Sequence, residues 1–185
     1  MKPAAIILAG GESRRMGTSK AQLEIAGVTF AARLVAAFAP VCDPVILVTG
    51  AIPGITAPGA QIVDNPDWPA GQLTSLQTGL RQVRQAPAAF FTPVDCPAFS
   101  AQTVAAMWAA FTGEPFVIPR YHGQRGHPVL MGASVFDELL ALPKSGQARE
   151  VVHRHRPATR YVDVDDAGIL ADIDTPADYQ ELIRS

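Results

Sequence analysis

Short extended runs alternate with helical stripes along nearly the whole chain, and that alternation limits its fold more than any other feature. Ala4 to Leu8, Val45 to Val48, Gln61 to Val63, Ala88 to Val94, Phe116 to Ile118 and Tyr161 to Val164 read as strands. Between them, Phe30, Leu34 and Phe38 recur at helical spacing, as do Leu73, Leu76, Leu80 and Val83, then Val104, Met107, Trp108 and Phe111. Ser134 to Leu142 and Ser145 to His153 also read as helices, and Pro176 suits the first position of a closing helix entered from Thr175. His127 to Met131 is extended, and Ala21 to Gly27 is a short connector or edge segment. Ala51 to Ala60, with two prolines and two glycines, is a loop, and Arg120 to Gly126 is a polar, Gly-rich connection. Strand–helix alternation of this kind predicts an α/β fold: a three-layer, doubly wound, mostly parallel sheet with helices on both faces. Residues 1–185 suit a single domain large enough to bury a sizeable core.

In such sheets ligands collect at the carboxyl ends of strands, near the switch in strand order. The segment that leaves the first strand is therefore informative. Leu8-Ala9-Gly10-Gly11-Glu12-Ser13-Arg14-Arg15-Met16-Gly17-Thr18-Ser19-Lys20 departs from an apolar run, breaks into glycines and carries three cations, Arg14, Arg15 and Lys20, within seven residues. Without a Cβ in the way, the N–H groups of Gly10 and Gly11 can approach an anion closely. This is a candidate phosphate-binding loop. It is not the P-loop, which places Lys directly after its second glycine, so a kinase is disfavoured. Nor is it the dinucleotide pattern, since the glycines fall at 10, 11 and 17. The chain has three lysines, Lys2, Lys20 and Lys144, which makes the placement of Lys20 inside the loop less incidental.

The fourth strand ends at Asp95-Cys96-Pro97. A carboxylate there is exposed at the ligand edge of the sheet, where it can hold Mg²⁺ against phosphate oxygens. It can equally cap the helix that begins near Ser100. Asp172-Ile173-Asp174-Thr175-Pro176 supplies further carboxylates, and alternation puts Asp172 and Asp174 on one side of an extended segment. There too a capping role competes, with Asp174 or Thr175 as N-cap and Asp178 in the first turn. Ser75, near the start of its helix, can donate to a phosphate or merely cap. His127 on its own is an ordinary loop histidine, and His153 and His155 read as part of a solvated basic face. No nucleophile–histidine–acid arrangement is visible.

Composition narrows the class. A hydrophobic content of 48% and a formal charge of −2 describe an ordinary soluble protein and point to neither nucleic acid nor an anionic membrane. Two cysteines, Cys42 and Cys96, are too few for a disulfide framework and too far apart for a metal motif; Cys42 is expected to pack beside the second strand. No apolar run is long enough for a signal-peptide core or a membrane span, so a cytoplasmic location is expected.

The spelling Leu8-Ala9-Gly10-Gly11-x-Ser13-x-Arg15-Met16-Gly17-x-x-Lys20 resembles the signature of the MobA-like nucleotidyltransferases. Asp95-x-Pro97 is similar to the Mg²⁺ aspartate of that family. Asn65-Pro66-Asp67-Trp68-x-x-Gly71-Gln72-x-x-Ser75-Leu76-x-x-Gly79-Leu80 and Arg125-Gly126-His127-Pro128-Val129 resemble its cytidylyltransferase branch, whereas Gly10 stands where that branch usually has alanine. The resemblance runs from Ile6 to Leu182. It implies a Rossmann-like nucleotidyltransferase that moves a nucleotidyl group, CMP before GMP, from CTP or GTP to the phosphate of a molybdopterin acceptor, with release of pyrophosphate. It also implies roles for particular residues. Leu8, Ala9, Gly10, Gly11, Arg15, Lys20, Asn65 and Ser75 would bind nucleotide, with Lys20, Arg15 and Asp95 acting in catalysis. Asp95 with Asp174 would hold Mg²⁺, with Asp172 as the other candidate for the second ligand. Arg125, His127 and Ser75 would border the acceptor, Glu12 and Arg14 would serve the loop, and the product would pass to a client molybdoenzyme. The competing readings are transfer to a sugar phosphate or methylerythritol phosphate, and a non-catalytic nucleotide-binding chaperone, which has no need of paired metal carboxylates.

Overall fold

The computed structural model describes residues 1–12 and 16–184. At its centre lies β1 (Ala4–Leu8), all five residues of which are buried. Two short strands, β2 (Glu24–Ile25) and β3 (Val28–Thr29), form a separate antiparallel hairpin where a connector or edge segment was expected. Helix α1 (Phe30–Phe38) follows, capped by the Thr29 hydroxyl, which accepts from the Ala32 N–H at 3.2 Å. The chain then adds β4 (Val45–Thr49) beside β1 and β5 (Gln61–Asp64) beside β4, both parallel. Helix α2 (Gln72–Gln82) carries it back across the sheet to β6 (Ala88–Pro93), which pairs parallel to the other edge of β1.

Beyond β6 come α3 (Ala101–Ala110) and β7 (Phe116–Tyr121), then β8 (Gln124–Arg125), which turns back against β7. Arg120 to Gly126, expected to be a loop, is thus largely a β-hairpin. Strand β9 (Val129–Gly132) inserts antiparallel between β6 and β7. The chain closes with α4 (Phe136–Ala141), α5 (Ala148–Arg154), β10 (Arg160–Asp163, parallel to β7) and α6 (Pro176–Leu182). The main sheet runs β10-β7-β9-β6-β1-β4-β5. It is the doubly wound, mostly parallel sheet that strand–helix alternation predicts.

Strand alternation sorts the buried side chains into two layers. Ala5, Ile7 and Ala9 of the first strand and its exit meet Phe30, Leu34 and Phe38 of α1 and Val104 and Met107 of α3 on one face. Ala4, Ile6 and Leu8 meet Leu76 and Leu80 of α2, Leu139 of α4 and Val151 of α5 on the other. Each fully buried Phe or Leu in these layers stabilises the fold by about 1.5–3 kcal/mol through removal of apolar surface from water. Gly79 lets α2 lie close on the sheet, because a Cβ there would run into Cγ2 of Ile6. Cys42 is buried below β4, as expected, and its thiol is pushed up to about 12 by burial. His155 is not part of a solvated face: its ring is half-buried, tilted against Phe116, and Nε2 lies 2.6 Å from Glu138. No helix among the described residues is long and apolar enough to cross a membrane.

Candidate active site

The winding places the switch in strand order between β1 and β6. The chain moves outward from β1 through β4 to β5, then returns to the opposite edge of β1. Leu8 and Pro93 are register partners, and the Val94 N–H donates to the Leu8 carbonyl at 3.0 Å. The two strands therefore end together, and Gly10 and Asp95, 85 positions apart, emerge at one edge. A cleft of about 460 Å³ opens there. Its floor is Leu8 to Glu12, one wall is Ser19 to Ala21 with Asp95 and Asp174, and the other is Trp68, Gln72 and Ser75.

Lys20 opens a short 3-10 turn, Lys20–Gln22, and its side chain is 13% exposed. Its Nζ donates to Asp95 Oδ2 at 2.9 Å and to Asp174 Oδ1 at 2.7 Å. Burial alone would lower the ammonium, but the hydrogen bonds and charges of Asp174 and Asp95 outweigh it and hold the group above the usual lysine range. Neither carboxylate is taken up by helix capping. Ser100 caps α3, accepting from Thr103 N–H, and is itself braced by Asp166 at 2.8 and 2.9 Å. Thr175 caps α6 in a reciprocal box with Asp178, whose Oδ2 also accepts from the Asp174 N–H at 3.0 Å. The cap arrangement thus aims the Asp174 side chain at the cleft instead of at the helix.

Ile173 is buried and donates its N–H to the Asp95 carbonyl at 2.9 Å, which pins the 172–174 segment beside the end of β6. With Ile173 turned inward, Asp172 and Asp174 point the other way, as alternation requires. One oxygen from each of Asp95 and Asp172, and the sulfur of Cys96, lie within 4.8 Å of one another. Burial together with the like charges of Asp95 and Asp174 pushes the Asp172 carboxyl up. Burial and the neighbouring carboxylates raise the Cys96 thiol well above its ordinary range, so it stays protonated. The donors gathered at this edge are therefore carboxylate oxygens, and the Lys20 ammonium is bonded to those of Asp95 and Asp174. That donor set suits a hard divalent ion such as Mg²⁺.

The expected nucleotide-binding residues that the structure describes fall into two groups. Leu8, Ala9, Gly10, Gly11, Lys20 and Ser75 all line the cleft. Asn65 does not. It is 1% exposed behind the wall, and its Nδ2 donates to Thr74 Oγ1 at 2.9 Å and Ser75 Oγ at 3.0 Å. Asn65 holds the first turn of α2 in place rather than facing a ligand. Arg15 and Arg14 lie outside the described residues.

Of the expected acceptor residues, Ser75 lines the cleft, whereas Arg125 and His127 do not. Arg125 is exposed on β8 and lines a second groove with Arg120, His153, Arg156 and Tyr161, sharing no residue with the cleft. His127 sits behind Asp95 with its ring edge-to-face against Phe91 and Nδ1 buried without a hydrogen-bond partner. Burial holds its pKa below the usual histidine range, against the pull of Asp95. Arg125 is carried outward by β8 in the hairpin with β7, whereas His127 lies in the connection between β8 and β9.

Sequence reasoning missed Gly50. A Cβ at that position would come within 2.7 Å of Trp68 Cβ and 2.9 Å of the Gly10 carbonyl, so Gly50 lets the Trp68 wall close on the glycine loop. A glycine directly after an apolar strand was the available signal.

Amides at a strand end, a part-buried lysine and converging carboxylates at the switch point make a site suited to a polyphosphate and its cation. The fold and this site define a nucleotide-handling α/β protein. The chain belongs to the MobA-like NTP transferase family, whose domain profile matches residues 5–159.

It is 27% identical to the molybdenum cofactor cytidylyltransferase of Escherichia coli (strain K12) over 180 residues, which cover 94% of this chain and 92% of that protein. It is 30% identical to the molybdenum cofactor guanylyltransferase of Rhizobium meliloti (strain 1021) over 168 residues, 85% of this chain and 77% of the relative. Among solved structures, Rv0371c from Mycobacterium tuberculosis H37Rv superposes with a TM-score of 0.85 at 29% identity, covering 100% of this chain and 98% of that one. The manganese complex of Rv0371C gives 0.81 at 25% identity, covering 100% of each chain.

Proposed function

We propose that this protein transfers a nucleotidyl group, CMP before GMP, from an NTP to the phosphate of a molybdopterin-type acceptor and releases pyrophosphate. The observation that carries this is the convergence of Gly10, Gly11, Lys20, Asp95 and Asp174 in one cleft of a MobA-like NTP transferase. The molybdenum cofactor transferases among its relatives supply the acceptor class, and a molybdoenzyme would then receive the product.

In this reading the Gly10 and Gly11 amides cradle the triphosphate, with Lys20 and Arg15 neutralising its charge. Arg15 is assigned from the loop signature alone. Asp95 and Asp174 would hold Mg²⁺, which when bound would supply charge neutralisation at the phosphate oxygens. The manganese complex of the related Rv0371C supports a divalent site in this fold. An oxygen of the acceptor phosphate attacks the α-phosphorus, one O–P bond forms, and the bond to the bridging oxygen of the β-phosphate breaks. Pyrophosphate leaves with that electron pair. A phosphate monoester with a second pKa of about 6 is already largely ionised at neutral pH, so no general base is needed. Positioning and charge neutralisation do the chemical work. Ser75, with its hydroxyl in the cleft and its position fixed by Asn65, orients nucleotide or acceptor. Arg125 would meet an acceptor from the second groove.

CMP is favoured by the spelling of Asn65 to Leu80, and GMP by Gly10. A Cβ at position 10 would lie 2.8 Å from Ser75 Oγ, so this cleft has no room for the branch's usual alanine while Ser75 keeps its position. Pyrophosphate release with molybdopterin cofactor and Mg²⁺, CTP against GTP, tests the proposal. Faster turnover with CTP supports it, faster turnover with GTP makes the protein a guanylyltransferase, and NTP binding without turnover on this acceptor would sink the transferase reading.

A further inference from the structure

The Lys20 ammonium lies where a cation shared by Asp95 and Asp174 would lie. Its Nζ is 2.9 Å from one carboxylate and 2.7 Å from the other, and a divalent ion held by the same oxygens would sit within about 2.0–2.1 Å of them. The two cations cannot share that gap: both would claim the same lone pairs, and a monovalent and a divalent charge a few ångströms apart repel strongly. The lysine is not loosely held either, since its side chain is 13% exposed and Ser19 before it is buried. The same cleft offers the ammonium another destination, because Gly10 and Gly11 line it on the floor beside Lys20. A polyphosphate resting on their amides would give Lys20 a new anionic partner.

We propose that Lys20 is an internal counter-cation that keeps the Asp95–Asp174 position closed to metal until a polyphosphate draws its ammonium away. Metal and nucleotide then bind with positive coupling, each favouring the other, because one side chain must leave the carboxylates for the metal and reach the phosphates for the nucleotide. The free protein holds metal weakly, and the carboxylates are kept paired and in position in the interim. This rests on the metal assignment made above and adds to it an order of events.

Mn²⁺ binding to the full chain, followed by the electron paramagnetic resonance of free Mn²⁺ with no nucleotide present, reads this directly. Lys20→Met, which keeps the length of the side chain without its charge, should bind Mn²⁺ at least about 10-fold more tightly than wild type. Lys20→Met with Asp95→Asn should lose that gain. Equal Mn²⁺ affinity in wild type and Lys20→Met, with binding lost in Asp95→Asn, overturns the inference and leaves the metal site standing. No Mn²⁺ binding in any variant, with or without CTP, overturns the inference and the metal assignment together.

A readout without substitution guards against misfolding of the variants. Acetylation of wild-type lysines by acetic anhydride, resolved by mass spectrometry, should be slower at Lys20 than at the exposed Lys144. Saturating Mn²⁺ should speed it at Lys20 alone. An unchanged Lys20 rate at Mn²⁺ concentrations that fill the Asp95 site would contradict the displacement.

Discussion

Ser75 Oγ stands 2.8 Å from the point where a Cβ on residue 10 would be, so the glycine of the first loop and the hydroxyl at the start of α2 are fitted to each other. Asn65 and the first turn of α2 fix the serine, and Thr49 and Trp68 close on Gly10 from the other sides. Gly10→Ala should therefore lower thermal stability or CTP affinity by about 1–3 kcal/mol, the usual cost of overpacking. Adding Ser75→Ala should recover most of that loss. A double-mutant cycle on melting temperature and CTP affinity checks it; additive effects would mean that the two positions do not share the space.

Gly79→Ala probes the layer below the cleft. Its new methyl would meet Ile6 Cγ2 in a fully buried contact, which forces α2 away from β1. Urea denaturation should show a loss of about 1–3 kcal/mol. Because α2 carries Ser75, nucleotide affinity should fall in parallel, even though Gly79 does not line the cleft.

His127 makes stability depend on pH in a stated direction. Its folded pKa is depressed by burial below the ordinary 6.5, so the neutral form is the one the fold accommodates. The stability this represents is fully present above the unfolded pKa and is lost as pH falls through the folded value. Wild type should lose stability as pH falls below 6.5, and His127→Gln should show a flatter profile on that acid side. Denaturation midpoints across that range decide it.

The two carboxylates of the 172–174 segment should separate by substitution. Asp174 shares the bound ammonium with Asp95, whereas Asp172 adds its charge from the side. Nucleotide-dependent Mn²⁺ affinity should drop by about 10-fold or more in Asp174→Asn and by clearly less in Asp172→Asn. The reverse order would move the second metal ligand to Asp172.

Much of this site was legible because an α/β sheet turns sequence pattern into position. An apolar strand that ends in glycines and another that ends in aspartate must emerge at one edge once both are parallel neighbours, as Leu8 and Pro93 are. Pro176 and Thr175 likewise marked the start of the last helix to the residue. What escaped depends on contacts between distant segments. Asn65 reads as a polar residue at a strand end, and only the approach of Thr74 and Ser75 makes it an internal brace. Arg125 follows a Gly-rich turn that reads as a loop, and its pairing through β8 with β7 carries it to a different groove. The closure of Trp68 over Gly50 leaves no local trace beyond the glycine itself.

The most direct test follows the α-phosphate. CTP labelled with ³²P at that phosphate, incubated with Mg²⁺ and molybdopterin cofactor, should transfer label to the pterin with wild type. Asp95→Ala should abolish the transfer, with its fold intact by circular dichroism. Label transfer undiminished in Asp95→Ala, or none with wild type despite tight CTP and GTP binding, would contradict the placement of nucleotidyl transfer in this cleft.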